Sequence, residues 1–217
     1  MTSGKAVIGV DESGKGDFFG PLVVASFLAN DSEQEKLREL GVKDSKTLTD
    51  KKILQISDHL RTKYPFSIVV KMPLDYNREY ALIKNLNIFL ATCHAEAINN
   101  IALEHEADLA ISDKFSKKNH LELELKKIGQ PIQLKSFVKG ESFLQVAAAS
   151  IIARAEFVNI MVKLSSQAGM TLPKGAAPQV DKAGRELVAK HSVDALKNFA
   201  KLHFKNYHRV VNPVLFG

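Results

Sequence analysis

The stretch Lys5-Ala-Val-Ile-Gly-Val-Asp-Glu-Ser-Gly-Lys-Gly-Asp-Phe-Phe-Gly-Pro-Leu-Val-Val24 decides the fold class. Lys5 to Val10 is a short apolar run and reads as a strand. Ser13, Gly14, Lys15 and Gly16 form a glycine-rich turn. Pro21 to Leu28 is a second β-branched run, with the proline tolerated at its first position. A hairpin-like pair of strands is therefore expected, whose connection carries Asp11 to Gly20.

Outward from this pair, Thr47 and Asp50 have the form of a capping box opening a helix towards Leu60. Phe66 to Lys71 reads as a strand. Ile83, Leu86, Leu90, Ala97 and Ile101 share one helical face running to about His105. Leu109 to Ser112 forms a strand ending at Asp113, and Leu134 to Val138 another. A long helix is expected from about Glu141 to Val162, and the last 47 residues read as helical and basic after a connector at Thr171 to Pro178. Strands alternating with long helices predict an α/β domain with helices covering the sheet. At 217 residues the chain fits one domain, 1–170 forming the α/β core and 171–217 a helical carboxyl-terminal extension.

Composition narrows the class. A hydrophobic share of 45% against 25% charged residues is a globular balance, not a disordered one. Cys93 is the only cysteine, which excludes an internal disulfide or a thiolate zinc site and fits a reducing cytoplasm. The run Ala6 to Val10 stops at Asp11 and Glu12, too short for a secretory signal, and later apolar stretches are interrupted by charge. The formal charge of +6 is uneven. Eight basic residues from Thr171 onward (Lys174, Lys182, Arg185, Lys190, Lys197, Lys201, Lys205 and Arg209) face three acidic ones there, so this segment holds +5. Such an end serves either solubility or attraction of a polyanion.

Asp11 and Glu12 follow one predicted strand, Asp113 follows a second, and Glu141 follows a third. A single carboxylate is ordinarily solvated or caps a helix; the joint pattern at strand ends is what points to a site. Converging carboxylates repel one another, and a divalent cation removes that conflict. Oxygen-only donors favour Mg2+ or Mn2+, and no histidine or cysteine adjoins Asp11, Glu12 or Glu141 in sequence to favour zinc. Gly9, Gly14 and Lys15 match the first part of a phosphate-binding P-loop. Gly16 stands where that motif needs Ser or Thr, and two carboxylates would lie inside the cradle, so the match reads as accidental.

Together these runs resemble type 2 ribonucleases H. Gly9 to Val24 is similar to the family's opening signature, and its Gly-Lys-Gly and Asp-Phe-Phe-Gly-Pro resemble bacterial ribonuclease HIII rather than ribonuclease HII. Lys43-Asp-Ser-Lys-Thr-Leu-Thr49 resembles the family's Asp-Ser-Lys loop. Gly140-Glu-Ser-Phe-Leu-Gln-Val-Ala-Ala-Ala-Ser-Ile-Ile-Ala-Arg154 resembles the helix that carries its fourth carboxylate. Leu172-Pro-Lys-Gly-Ala-Ala177 and Lys201-Leu-His-Phe-Lys-Asn206 resemble stretches near the end of ribonuclease HIII. The resemblance implies a ribonuclease H-like mixed β-sheet flanked by helices. It implies catalysis at Asp11, Glu12, Asp113 and Glu141, the same four holding two Mg2+ or Mn2+ ions. It further implies cleavage of the RNA strand of RNA–DNA hybrids to 5′-phosphate and 3′-hydroxyl ends. Gly14, Lys15, Gly16, Lys46 and Lys174 become the expected substrate contacts. The hybrid is the expected partner, with no membrane, for a cytoplasmic monomer.

Two departures from the family pattern matter. Ribonuclease HIII usually carries an amino-terminal substrate-binding domain, whereas Asp11 lies close to the start of this sequence. That leaves open a naturally short member or an excised catalytic domain. Ribonuclease HII senses the RNA-to-DNA junction with a tyrosine beside a Lys-Gly pair. Lys174-Gly-Ala-Ala177 has none, which leads us to expect a preference for runs of ribonucleotides. A small-phosphoester hydrolase and a catalytically silent hybrid-binding module remain as rivals.

Overall fold

The computed structural model describes residues 5–116 and 118–212. Strand β1 (Ala6–Ser13) buries Val7 to Val10 in succession, as expected of a strand covered on both faces. It pairs antiparallel with β2 (Leu22–Asn30), from Ala6 opposite Asn30 to Ser13 opposite Val23. The chain continues through α1 (Gln34–Glu39), α2 (Asp50–Lys63), β3 (Phe66–Lys71), α3 (Pro73–Ile83) and α4 (Leu86–Ala102). Then come β4 (Leu109–Asp113), α5 (His120–Lys127), β5 (Gln133–Phe137) and α6 (Leu144–Ala168). Helices α7 (Pro178–Lys190), α8 (Leu196–Phe199) and α9 (Lys205–Val211) follow.

The described strands form one sheet in the order β3-β2-β1-β4-β5. β1 pairs parallel with β4, and β4 with β5. The sheet is therefore mixed, and β1 is its centre. The helices that cover it lie close: a β-carbon on Gly9 would fall 2.1 Å from the Gln145 carbonyl carbon, so only glycine lets α6 approach β1 here. Ser26 of β2 donates a buried hydrogen bond to the Ala97 carbonyl of α4 at 2.6 Å. Side chains alternate along a strand, so Gly9 faces α6 whereas Val10, opposite Ser26, faces α4.

The chain divides into two compact units. The first comprises the residues up to Ser13, Val23–Val69 and Asn85–Ala155; the second comprises Gly14–Leu22, Val70–Lys84 and the residues from Glu156 onward. In the second unit, residues 174–177 are tied to the glycine-rich segment. Gly175 N–H donates to Asp17 Oδ1 at 2.6 Å, and Phe18 N–H donates to the Gly175 carbonyl at 2.9 Å. Lys201 is fully buried and its ammonium donates to the carbonyls of Asp17, at 2.9 Å, and Gly20, at 2.7 Å. The ring of Tyr76 lies 5.6 Å from the same ammonium.

Several expected boundaries move. β1 does not stop at Val10 but runs through Asp11 and Glu12 to Ser13, because β2 supplies partners for all three. The cap of α2 is Thr49, whose hydroxyl accepts from Lys52 N–H, while Thr47 lies in a 3-10 turn. Ile83 ends α3 instead of starting α4, the two being separated by Lys84 at φ 51° and by the Asn85 cap. Glu141 precedes α6 in a separate 3-10 turn, Gly140–Ser142. Helix α6 is long and apolar enough to cross a membrane by composition alone, but 78% of its most apolar window is buried within the fold, as in a core helix.

Candidate active site

Asp11 and Glu12 are neighbours on a strand, so their side chains leave opposite faces of β1. Asp11 shares the face of Gly9 and accepts a hydrogen bond from the Ser150 side chain of α6. Glu12 shares the face of Val10, and its Oε2 lies 3.0 Å from Nε2 of His94 on α4. Ser150 Oγ is also 2.8 Å from Ser45 Oγ, which links the Asp44-Ser-Lys46 turn to Asp11 through two hydroxyls.

Asp113 ends β4, whose Ser112 is paired with Val10. The register therefore continues Asp113 alongside Asp11. Its Oδ1 accepts the Gly140 N–H at 3.0 Å. A β-carbon on Gly140 would lie 2.8 Å from Asp113 Cα and N, so glycine permits this approach and places Glu141 directly after the contact. A pocket of about 210 Å3 opens beside Asp113, lined in part by Lys114, Phe115, Ser116 and Ser136.

Electrostatics reflect this crowding. Burial pushes the Asp11 carboxyl up to about 8, and the charges of Glu12 and Asp113 add to the rise. The hydrogen bonds from Ser150 and the Glu12 backbone pull the other way but do not cancel it. Among the described residues no three Asp, Glu, His or Cys side chains come together as a metal-binding cluster. Instead the structure brings Asp11, Glu12 and Asp113 into one electrostatic neighbourhood and sets Glu141 beside the backbone that Asp113 holds. Oxygen donors around an Asp11 that resists ionisation fit a hard divalent cation.

Of the expected substrate residues, Lys15 is half-buried, while Gly16, Lys46 and Lys174 are exposed. Gly14 is buried at φ 87°, where a β-carbon would strike the Pro21 carbonyl. Two residues next to the carboxylates escaped the sequence reading. Ser150 lies within the Gly140–Arg154 run and carries no sign of its own there. His94 adjoins Glu12 although it lies 82 positions away in the chain, so sequence proximity could not reveal it.

The sequence model of the family described as Ribonuclease HII matches residues 8–207. The chain belongs to that family. Ribonuclease HIII of Protochlamydia amoebophila (strain UWE25) is 39% identical over 95% of this chain and 69% of its own length. Ribonuclease HIII of Chlamydia pneumoniae is 41% identical over 94% and 69% respectively. The crystal structure of Bst-RNase HIII in complex with Mn2+ superposes with a TM-score of 0.88 at 33% identity, covering 96% of this chain and 70% of that one. The family member described here is thus closely related to bacterial ribonuclease HIII and is an endoribonuclease.

Proposed function

We propose that the chain hydrolyses the RNA strand of RNA–DNA hybrids with two Mg2+ or Mn2+ ions, leaving 5′-phosphate and 3′-hydroxyl ends. The observation that carries this reading is Asp11, which accepts a hydrogen bond from Ser150 of α6 and whose carboxyl is pushed up to about 8 by burial and by the charges of Glu12 and Asp113. Such a group is restored to its charged form by a cation, not by the protein around it. Asp11, Glu12, Asp113 and Glu141 would hold the ions. When bound, these supply activation of the attacking water and stabilisation of the leaving 3′-oxygen.

The chain's own residues then orient and discriminate. The Ser150 hydroxyl fixes Asp11, and the Gly140 N–H fixes Asp113. Gly14, Lys15 and Gly16 address the RNA strand through its 2′-hydroxyls, the feature that distinguishes the two backbones. The hydrogen bonds of Gly175 with Asp17 and Phe18 support a role for Lys174 beside this loop. Lys46 contributes a phosphate contact from the turn linked to Asp11. The enzyme is read as a cytoplasmic monomer acting on hybrid and requiring no membrane.

Residues 174–177 contain no aromatic ring to stack on a junction sugar, so successive 2′-hydroxyls must locate the substrate. A lone ribonucleotide supplies one of them. Each missing hydrogen bond costs about 0.5–1.5 kcal/mol, so kcat/KM on a single embedded ribonucleotide falls roughly one to three orders of magnitude below that on a run of four. Labelled hybrid, duplex RNA, duplex DNA and a small phosphoester, each incubated with Mg2+, test the broader reading. Cleavage confined to the hybrid is expected; turnover of the phosphoester alone would replace the reading with that of a phosphatase. Equal rates on the two ribonucleotide substrates would remove the proposed preference while leaving the hydrolase intact.

A further inference from the structure

The carboxylate of Glu12 has a dedicated partner. His94 is fully buried in α4, between residues that pack on the sheet, and its Nε2 meets Glu12 Oε2 at 3.0 Å. The edge of its ring packs against Phe115, with centroids 5.0 Å apart at 60°. Its other nitrogen, Nδ1, is buried without a hydrogen-bond partner among the described residues. That orphan atom decides the direction of the bond. A buried N–H with no acceptor is costly, and a carboxylate oxygen offers no proton, so the ring proton belongs on Nε2. His94 therefore donates to Glu12 and presents no lone pair towards it.

The donation matters because of the strand. Asp11 and Glu12 leave opposite faces of β1, so the Glu12 side chain is not held near Asp11 by the backbone alone. A free glutamate with three rotatable bonds would sample many positions. Fixing Oε2 on α4 confines the carboxylate to one place.

We propose that His94 is a positioning residue, which orients Glu12 for cation binding by a single Nε2–H donation and does not itself bind the metal. The inference rests on the functional reading above, in which Glu12 is a ligand. His94 is not a structural filler only: a residue needed solely for packing would be served by phenylalanine, and its buried polar atoms would be a net cost.

The test measures Mn2+ binding directly, by titration calorimetry on the intact chain, beside hybrid cleavage and thermal unfolding in EDTA. His94→Phe keeps ring volume and removes the donor; His94→Gln restores an N–H near the Nε2 position. We expect His94→Phe to weaken Mn2+ binding about 5- to 50-fold and to raise the Mn2+ concentration needed for half-maximal cleavage in step. His94→Gln should recover most of the loss. In a Glu12→Gln background, His94→Phe, or His94→Leu if the phenylalanine variant does not fold, should change Mn2+ affinity no further, because the path through Glu12 is already cut. His94→Phe that melts lower yet binds Mn2+ like the parent would overturn the proposal in favour of packing. Additive losses in the Glu12→Gln background would overturn it in favour of direct ligation. A parent chain that binds no Mn2+, with or without Asp11→Asn, would instead sink the metal reading on which the proposal stands.

Discussion

Two buried ionisable groups pull stability in opposite directions with pH. Folded Asp11 keeps its proton until about pH 8, whereas the unfolded group releases it near 3.8. Between those values the folded chain binds more protons, so this contribution to stability is lost as pH rises from about 4 to 8. Asp11→Asn removes the charge and should raise the melting temperature of the metal-free chain at pH 7, with the gap closing towards pH 4, while hybrid cleavage disappears. A variant no more stable than its parent at pH 7 in EDTA would show that the site carries no such charge conflict. Lys201 behaves in the opposite sense. Burial lowers it to about 7 against 10.5 in the unfolded chain, and Asp17 offsets only part of this. Between 7 and 10.5 the unfolded chain holds more protons, so the Lys201 contribution grows as pH rises. Lys201→Met leaves the Asp17 and Gly20 carbonyls without their donor, at a cost of about 1–3 kcal/mol for each buried group. Denaturant unfolding at pH 6.5 and 9 should show the parent gaining on the methionine variant as pH rises. A difference independent of pH would mean that Lys201 is charged in the folded state throughout.

At the scale of elements, the contact between β1 and α6 is the most exposed to a single change. Gly9→Ala puts a methyl group into the backbone of Gln145, which cannot rotate away as a side chain would. The strand and helix must separate, and overpacking of this kind costs about 1–3 kcal/mol or more. Because Asp11 and its partner Ser150 lie along the same contact, cleavage should fall more than the loss of folded protein explains. Tm and kcat measured on one preparation would separate the two, and an unchanged Tm would refute the close approach. The elements legible in the sequence are those with a strong local period: the opening hairpin, the strand before Asp113 and the apolar face of α4. What stayed hidden had no local sign. The boundary between α3 and α4 has no sequence mark, because the residue at φ 51° is Lys84 and no glycine or proline stands at the break. The extension of β1 through Glu12 depends on pairing with Val24 and Ala25, not on the polarity of its own residues. Asp11 and Asp113 could be singled out because each stands where an apolar run ends. His94 could not, since a histidine on an apolar helical face looks the same whether it fills space or holds a glutamate.

Across the whole molecule, much of the charge excess after Thr171 is engaged within the fold. Lys201 is buried, Arg209 is paired with Asp181 and Lys197 with Asp194, and Lys190 donates to the Gly169 carbonyl. Lys174, Lys182, Arg185 and Lys205 remain exposed. If all four reach phosphates, this segment contributes a slope of about −3 to log affinity against log salt. Fluorescence anisotropy with hybrid in Ca2+, across a salt series, should show Lys182→Ala with Lys205→Ala flattening the slope by about 1–2. An unaltered slope would assign those two residues to solubility. The parallel pairing of β1 with β4 has a further consequence, during synthesis. β2 reaches β1 almost at once, but β4 lies roughly a hundred residues downstream, which at about 5–20 residues per second leaves one edge of β1 open for roughly 5–20 s. An open apolar edge invites strand addition from a neighbouring nascent chain. Asp11 and Glu12 follow directly on the Val7–Val10 stretch that β4 later covers, and two charges at the end of such an edge oppose strand addition until β4 arrives.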